Sequence, residues 1–315
     1  MILTFTPNPC VDKTVFIDDL LVGASMRSKR YTCIPGGKGV NVSRAVHALD
    51  RPTKALVVVG GFTGQHVVDM IEKQDAVACA PVWVPSPTRT ITTVLETNVH
   101  RQTVFFEPGS EITSEDLTTI VSAFRQHVAG ASVVTFSGAV SHPNAAGLYR
   151  EMIPIAREAG ALAILDSYGP EFAAALPTAP YMVKPNVKEL EIWAGTELPD
   201  TTSRWEAIEK LHRAGVSLVV LSLGKDGIMV SQMLAGKQEQ FTATPPEIEE
   251  VNAVGSGDCL VAGFAIGLAE RKPLEYAARQ GVAMGTANAM TWDIGHFDVD
   301  QIASLMERVT VRYRR

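Results

Sequence analysis

The sequence predicts an α/β protein in which a mainly parallel sheet is covered by helices and a small accessory β-sheet stands beside it. Three observations carry this expectation. Short apolar runs alternate with segments of helix length, as in successive βαβ units. Two of those runs, from Ala55 to Gly60 and from Leu218 to Leu223, are apolar almost throughout, as strands buried on both faces are. Two further stretches, 13–31 and 89–107, lack a helical period and are rich in Val, Thr, Phe and Ile.

In chain order, the first strand is expected at 2–5, followed by the β-like stretch 13–31 and a helix from Val42. A strand at 54–59 and a helix at 65–74 come next. The stretch 89–107 is divided at turn-forming Asn98 into two runs and reads as a hairpin. A helix at 114–127, a strand at 133–137, a helix at 144–159 and a strand at 162–166 continue the alternation. Strands at 181–183 and 218–221 flank helices at 187–194 and 203–214. After Gly255 the chain turns helical, with segments at 258–270, 274–290 and 299–308. The first of these is apolar nearly all round, which predicts burial rather than a surface position.

At 315 residues the chain can form one large domain or two small ones, with a sizeable core. Its formal charge of −6 argues against nucleic acid or an anionic membrane as the main partner, so an anionic ligand needs a local basic patch. The four cysteines form no CxxC pair, which suits free thiols in the reducing cytoplasm. No secretory leader is evident, and no apolar stretch approaches the ~18–20 residues of a membrane span.

Four motifs carry chemistry. Asn252-Ala253-Val254-Gly255-Ser256-Gly257-Asp258 stands immediately before the buried helix. Small residues there let backbone N–H groups approach an anion at a helix N-terminus, the cradle that phosphoryl transfer needs. Asp258 is either a helix cap or a general base. The loop is neither a Walker A sequence nor a dinucleotide fingerprint. Pro35-Gly36-Gly37-Lys38-Gly39-Val40-Asn41 is the second motif; Arg27, Lys29, Arg30, Lys38 and Arg44 cluster around it with no acidic residue among them, a composition suited to a phosphate. Third, Lys184, Asn186 and Glu189 follow the strand at 181–183, where open α/β sheets bind ligands, and Glu189 could hold a hydrated Mg²⁺ or merely cap a helix. Fourth, Ser222, Leu223, Gly224 and Gly227 form a turn, and Asp12 lies just past the first strand.

In this order and spacing the motifs resemble the PfkB (ribokinase-like) carbohydrate kinases over essentially the whole chain, most specifically through GGKGVNVSRA and VNAVGSGDCLVAGF. The resemblance implies a single kinase domain over 1–315 with a three-layer α/β/α core. It also implies a β-sheet lid formed by about 13–31 and 89–107, and a homodimer joined through the lids. It makes Asp258 the catalytic base, with Gly255, Ser256 and Gly257 as the anion hole. It assigns Lys184, Asn186, Glu189, Ser222, Leu223, Gly224 and Gly227 to ATP and Mg²⁺, the metal being held indirectly by Glu189. Asp12, Gly37, Lys38 and Asn41 fall to the acceptor, with Lys38, Arg89 and, across a dimer, Arg27 as ligands of its phosphate. Lys38 within GGKG resembles the hexose-phosphate branch, which implies phosphorylation of a ketohexose phosphate to a bisphosphate. Fructose 1-phosphate is the first choice of acceptor and tagatose 6-phosphate the alternative; a non-catalytic sugar-phosphate sensor would share the fold. The sequence departs from the branch at 137–143, at Asp166-Ser167-Tyr168-Gly169 and at Thr291-Trp292-Asp293. These departures bear on the acceptor rather than on the transfer machinery.

Overall fold

The computed structural model describes residues 1–99, 101–140 and 142–314; Ser141, within one of the departing segments, lies outside them. In chain order the elements are β1 (Ile2–Thr6), β2 (Cys10–Ile17), β3 (Arg30–Gly36), α1 (Lys38–Ala48), β4 (Thr53–Val59), α2 (Gly61–Lys73), β5 (Ala78–Trp83), β6 (Arg89–Glu96) and β7 (Arg101–Phe106). Then come α3 (Ser114–His127), β8 (Val133–Ser137), α4 (Leu148–Glu158), β9 (Leu162–Asp166), α5 (Gly169–Ala175), β10 (Met182–Val183), α6 (Val187–Ala194) and α7 (Thr201–Arg213). The chain closes with β11 (Leu218–Ser222), β12 (Ile228–Leu234), β13 (Lys237–Thr244), α8 (Ser256–Ala269), α9 (Leu274–Ala289), α10 (Gln301–Arg308) and β14 (Thr310–Tyr313).

Ten strands form one sheet in the order β14-β13-β12-β11-β10-β9-β8-β1-β4-β5. The run from β11 to β5 is parallel and β12, β13 and β14 add antiparallel strands at one edge. Side chains alternate between two apolar layers. Leu3, Phe5, Leu56, Val58, Val134 and Phe136 pack with Phe124, Met152, Phe172 and Ile208 from α3, α4, α5 and α7. Ile2, Val133, Ile164, Leu218 and Val220 point the other way, onto α1, α8, α9 and α10. The core is therefore three layers, α/β/α, as expected. α8 is buried nearly all round, and a Cβ on Gly263 would stand 2.5 Å from Gly281 Cα on α9. That close helix approach is why small residues recur there.

The second sheet has the order β3-β2-β6-β7, with β2 and β6 parallel and the outer pairs antiparallel. Its strands come from the two irregular stretches, but β2 starts at Cys10 and so carries Asp12 within the sheet. The segment 18–29 is not strand. Val104, Phe105 and Phe106 of β7 are exposed.

Several boundaries differ from expectation. α1 begins at Lys38 rather than Val42, because Gly37 at φ 119 turns the end of β3 directly into the helix. β5 was not expected: Pro81 interrupts its pattern, and the strand sits at the sheet edge, where a missing N–H is tolerated. The hairpin β12–β13 turns at Ala235-Gly236, both at positive φ. Among the described residues no helix is long and apolar enough to cross a membrane.

Candidate active site

The chain runs outward from β1 to β4 and β5, then returns to β8 on the other side of β1. Such a reversal leaves a crevice beyond the C-terminal strand ends. Onto that edge the fold delivers the starts of α1, α6 and α8 together with the last residue of β9.

Asp166 ends β9 and is 1% exposed. Its Oδ1 receives Lys38 Nζ at 3.3 Å and lies 3.2 Å from Lys184 Nζ. Lys38 Nζ also stands 3.7 Å from Glu189 Oε1. Burial alone would favour the neutral acid of Asp166, but Lys184 and Lys38 outweigh it and hold its pKa below the usual carboxylate range. Burial likewise opposes the charge on Lys38, yet Asp166, Glu189 and Asp258 raise its pKa, so it remains a cation. Lys184 Nζ lies 3.5 Å from where a Cβ on Gly257 would be, beside the glycine-rich start of α8.

Asp258 is the third residue of α8, and its side chain does not cap the helix: Gly255 is the cap residue, with φ 83 and no side chain to offer. Ser256 N–H turns back to Ala253 O at 3.2 Å and Asp258 N–H to Gly255 O at 3.0 Å, so the candidate cradle for negative charge is formed by the Gly255 and Gly257 amides. A Cβ at Gly255 would collide with Ile294 Cγ2. Asp258 Oδ2 accepts a hydrogen bond from Asn41 Nδ2 at 2.8 Å. Its pKa is pushed up to about 6, first by burial and then by Asp166, against the pull of Lys38, the Asn41 bond and Lys184. Two lysines face three carboxyls here, and Asp258 is the one left short of a full cation.

Expected residues fall into three places. Asp258, Gly255, Ser256, Gly257, Lys38, Asn41 and Lys184 meet at the centre. Asn288 clamps the loop, donating from Nδ2 to Val254 O at 2.8 Å and Ser256 Oγ at 3.1 Å while accepting from Gly295 N at 2.8 Å. On one side Asn186, Ser222, Leu223 and Gly224 line an open cavity of about 310 Å³ with Arg204 and Asp226. Glu189 lies at the start of α6 in a capping box with Asn186, so its structural role is real. Gly227, at φ 92, lies where a Cβ would collide with Ala243 O. On the other side Asp12 in β2 and Arg89 in β6 lie within the second sheet, with Arg89 Nη2 3.4 Å from Asn8 O. Burial raises the pKa of Asp12, while Arg44 and Arg89 oppose the rise.

The basic cluster read from the sequence disperses. Lys29 pairs with Asp18 at 2.6 Å, Arg30 stacks 4.0 Å over the Phe16 ring, and Arg44 is buried against Asp75 at 2.8 Å. Only Lys38 of that group reaches the crevice; Arg27 is exposed in the 18–29 connection. Asp166 was noted from sequence only as a departure, although its place at the end of a buried strand was a usable signal.

A glycine-rich helix start, a buried carboxyl and convergent lysines meet at a strand-end crevice, an arrangement suited to a phosphotransferase. The chain belongs to the pfkB family of carbohydrate kinases, whose model matches residues 6–291. It is 33% identical over 301 residues to 1-phosphofructokinase of Bacillus subtilis strain 168, covering 94% of each chain. Phosphofructokinase-2 from Escherichia coli in its tetrameric inhibited form superposes with a TM-score of 0.87 at 27% identity, over 97% of this chain and 98% of that one. The same enzyme in complex with fructose-6-phosphate gives 0.86 at 26% identity, with the same coverage. The activity of this chain is ATP-dependent phosphorylation of a sugar phosphate.

Proposed function

We propose that the protein transfers the γ-phosphoryl group of ATP to the free primary hydroxyl of fructose 1-phosphate, giving fructose 1,6-bisphosphate. The observation that carries the chemistry is Asp258, buried at the glycine-rich helix start, with its pKa pushed up to about 6 by burial and then by Asp166. A general base works best with a pKa close to the operating pH. Asp258 takes the hydroxyl proton as the acceptor oxygen attacks the γ-phosphorus in line. The amides at Gly255 and Gly257, joined by that of Ser256 once it is released from Ala253 O, bind the negative charge of the transferred group.

Lys38, held between Asp166 and Glu189, adds positive charge next to the base. That position suits the group in flight better than a distal phosphate, so the phosphate already on the sugar falls chiefly to Arg89. Asp12 orients the sugar hydroxyls, with Gly37 letting the backbone at the start of α1 come close to them. Lys184, Asn186, Ser222, Leu223, Gly224 and Gly227 receive the nucleotide. Glu189 Oε2 is committed to the helix cap and Oε1 faces Lys38, which fits a Mg²⁺ reached through water rather than a direct multidentate site. When bound, that ion neutralises charge on the nucleotide phosphates. Residues 1–315 act as one kinase domain, and the second sheet serves as a lid that excludes water as a competing acceptor.

The exposed outer strand of that sheet, with Phe105 and Phe106, supports a homodimer joined lid to lid, in which Arg27 of one protomer would reach its partner's acceptor site. The enzyme is placed in the cytoplasm.

An ATP-to-ADP coupled assay tests the acceptor, using fructose 1-phosphate, fructose 6-phosphate, tagatose 6-phosphate, fructose, ribose and adenosine. Turnover is expected on fructose 1-phosphate. Preference for tagatose 6-phosphate would reassign the sugar. ATP binding with silence across the panel would favour the sensor.

A further inference from the structure

Among the described residues Arg44 is the only buried arginine, at 3% exposure. It lies one turn after Asn41 on α1, and its guanidinium joins four separate segments. Nη1 donates to Asn41 Oδ1 at 3.0 Å and to Ile294 O at 2.9 Å, while Nη2 donates to Pro35 O at 2.6 Å. Asp75 Oδ2 stands 2.8 Å from Nη2, an ion pair lacking the alignment of a directed hydrogen bond. Gly295, at φ 72, packs so closely that a Cβ there would stand 3.2 Å from Arg44 Cδ.

A carboxamide presents either its oxygen or its NH₂ to a neighbour, and the two choices differ in sign. Were the Asn41 oxygen to face Asp258, two acceptors would oppose each other across 2.8 Å. With Oδ1 engaged by Arg44, the NH₂ is the group left for the carboxylate. We propose that Arg44 is a positioning residue for phosphoryl transfer: it fixes the Asn41 amide so that Nδ2 holds Asp258 Oδ2, leaving the second carboxylate oxygen to receive the acceptor's proton. This rests on the reading of Asp258 as the base.

Other charged groups also bear on these residues. Asp258 is faced by Asp166 from β9, Lys38 from α1 and Lys184 after β10, with the Cys259 thiol beside it on α8. Arg44 is faced by Asp75 after α2, acts on Asp12 in β2, and has His296 near its partner, Nε2 lying 3.8 Å from Asp75 Oδ1. None of these touches the Asn41 oxygen, so Arg44 is the group that holds the amide from its oxygen side, whatever the protonation of Asp258.

The test is steady-state kinetics from pH 5 to 8 with ATP and the acceptor that turns over, on Arg44→Gln, Asn41→Ala and the double variant. Arg44→Gln should lower kcat about tenfold or more with the KM for ATP unchanged. The acid limb of kcat/KM should move up by about half to one pH unit, since losing a donor to the carboxylate raises its pKa. In the Asn41→Ala background the same change should add nothing, because the amide it acts through is gone. A wild-type kcat and acid limb in Arg44→Gln, or losses that multiply in the double variant, would overturn the proposal. Asp258→Asn separates the two readings. If Asp258→Asn keeps its turnover, the base assignment falls and the positioning role falls with it. If it is dead while Arg44→Gln behaves as wild type, only the positioning role falls. Should Arg44→Gln not fold, Arg44→Lys decides: it retains a cation for Asp75 but has no fork to span Asn41 as well. A wild-type melting temperature with reduced kcat supports the proposal, and full activity overturns it.

Discussion

Replacing Asp166 with Asn removes one of the three carboxyls that share Lys38 and Lys184. Burial, and after it Asp166, pushes the pKa of Asp258 up to about 6. Losing one like charge beside a buried carboxyl is worth about one pH unit, which would take Asp258 from about 6 to about 5. At pH 5.5 the fraction of Asp258 present as carboxylate should then rise from about a quarter to about three quarters. The sign is definite: fewer neighbouring negative charges favour the ionised base. The assay is kcat/KM for the acceptor between pH 5 and 8, which reports groups on the free enzyme, the state in which Asp258 is described here. A sugar phosphate itself titrates near pH 6, so the quantity to compare is the activity at pH 5.5 relative to pH 8, variant against wild type on one acceptor. That ratio should rise about threefold in Asp166→Asn, whatever the variant's absolute rate. An unchanged ratio, or an acid limb moving upward, would refute the charge count on which the pKa of Asp258 rests.

Asp258→Asn should lower kcat by about 10²–10⁴-fold with ATP affinity retained, measured by coupled turnover and nucleotide titration; near-normal turnover would remove it as base. Lys38→Ala should reduce kcat more than it raises the acceptor KM; the opposite split would return Lys38 to the distal phosphate. Arg89→Ala should instead weaken the acceptor by roughly 1.5–3 kcal/mol, seen as a raised KM with kcat largely kept. Gly255→Ala should lower the melting temperature and abolish activity together, since the added Cβ meets Ile294 and φ 83 disfavours any side chain; an active, equally stable variant would show that the loop has room to move.

The sequence by itself determined the layered α/β core, because the period of the apolar residues is local information. β8, β9, α3 and α6 fall at their expected residues for that reason. It also marked the start of α8, since Gly255-Ser256-Gly257 ahead of an apolar helix is a contiguous signal. What it left undecided depends on pairings between distant segments. Strands β5, β12 and β13 were not delimited because an edge strand or a solvated hairpin has weak alternation, and neighbours supply its register. The basic run from Arg27 to Arg44 looked like one anion site, yet Asp18, Phe16 and Asp75 each claim a member. Only the tertiary structure decided that Lys38 alone reaches the crevice, that Asp166 stands between two lysines, and that Asn41 turns its amide toward Asp258. Charge is long-ranged and burial depends on the whole fold, so the ionisation of a site cannot be read from the residues that compose it.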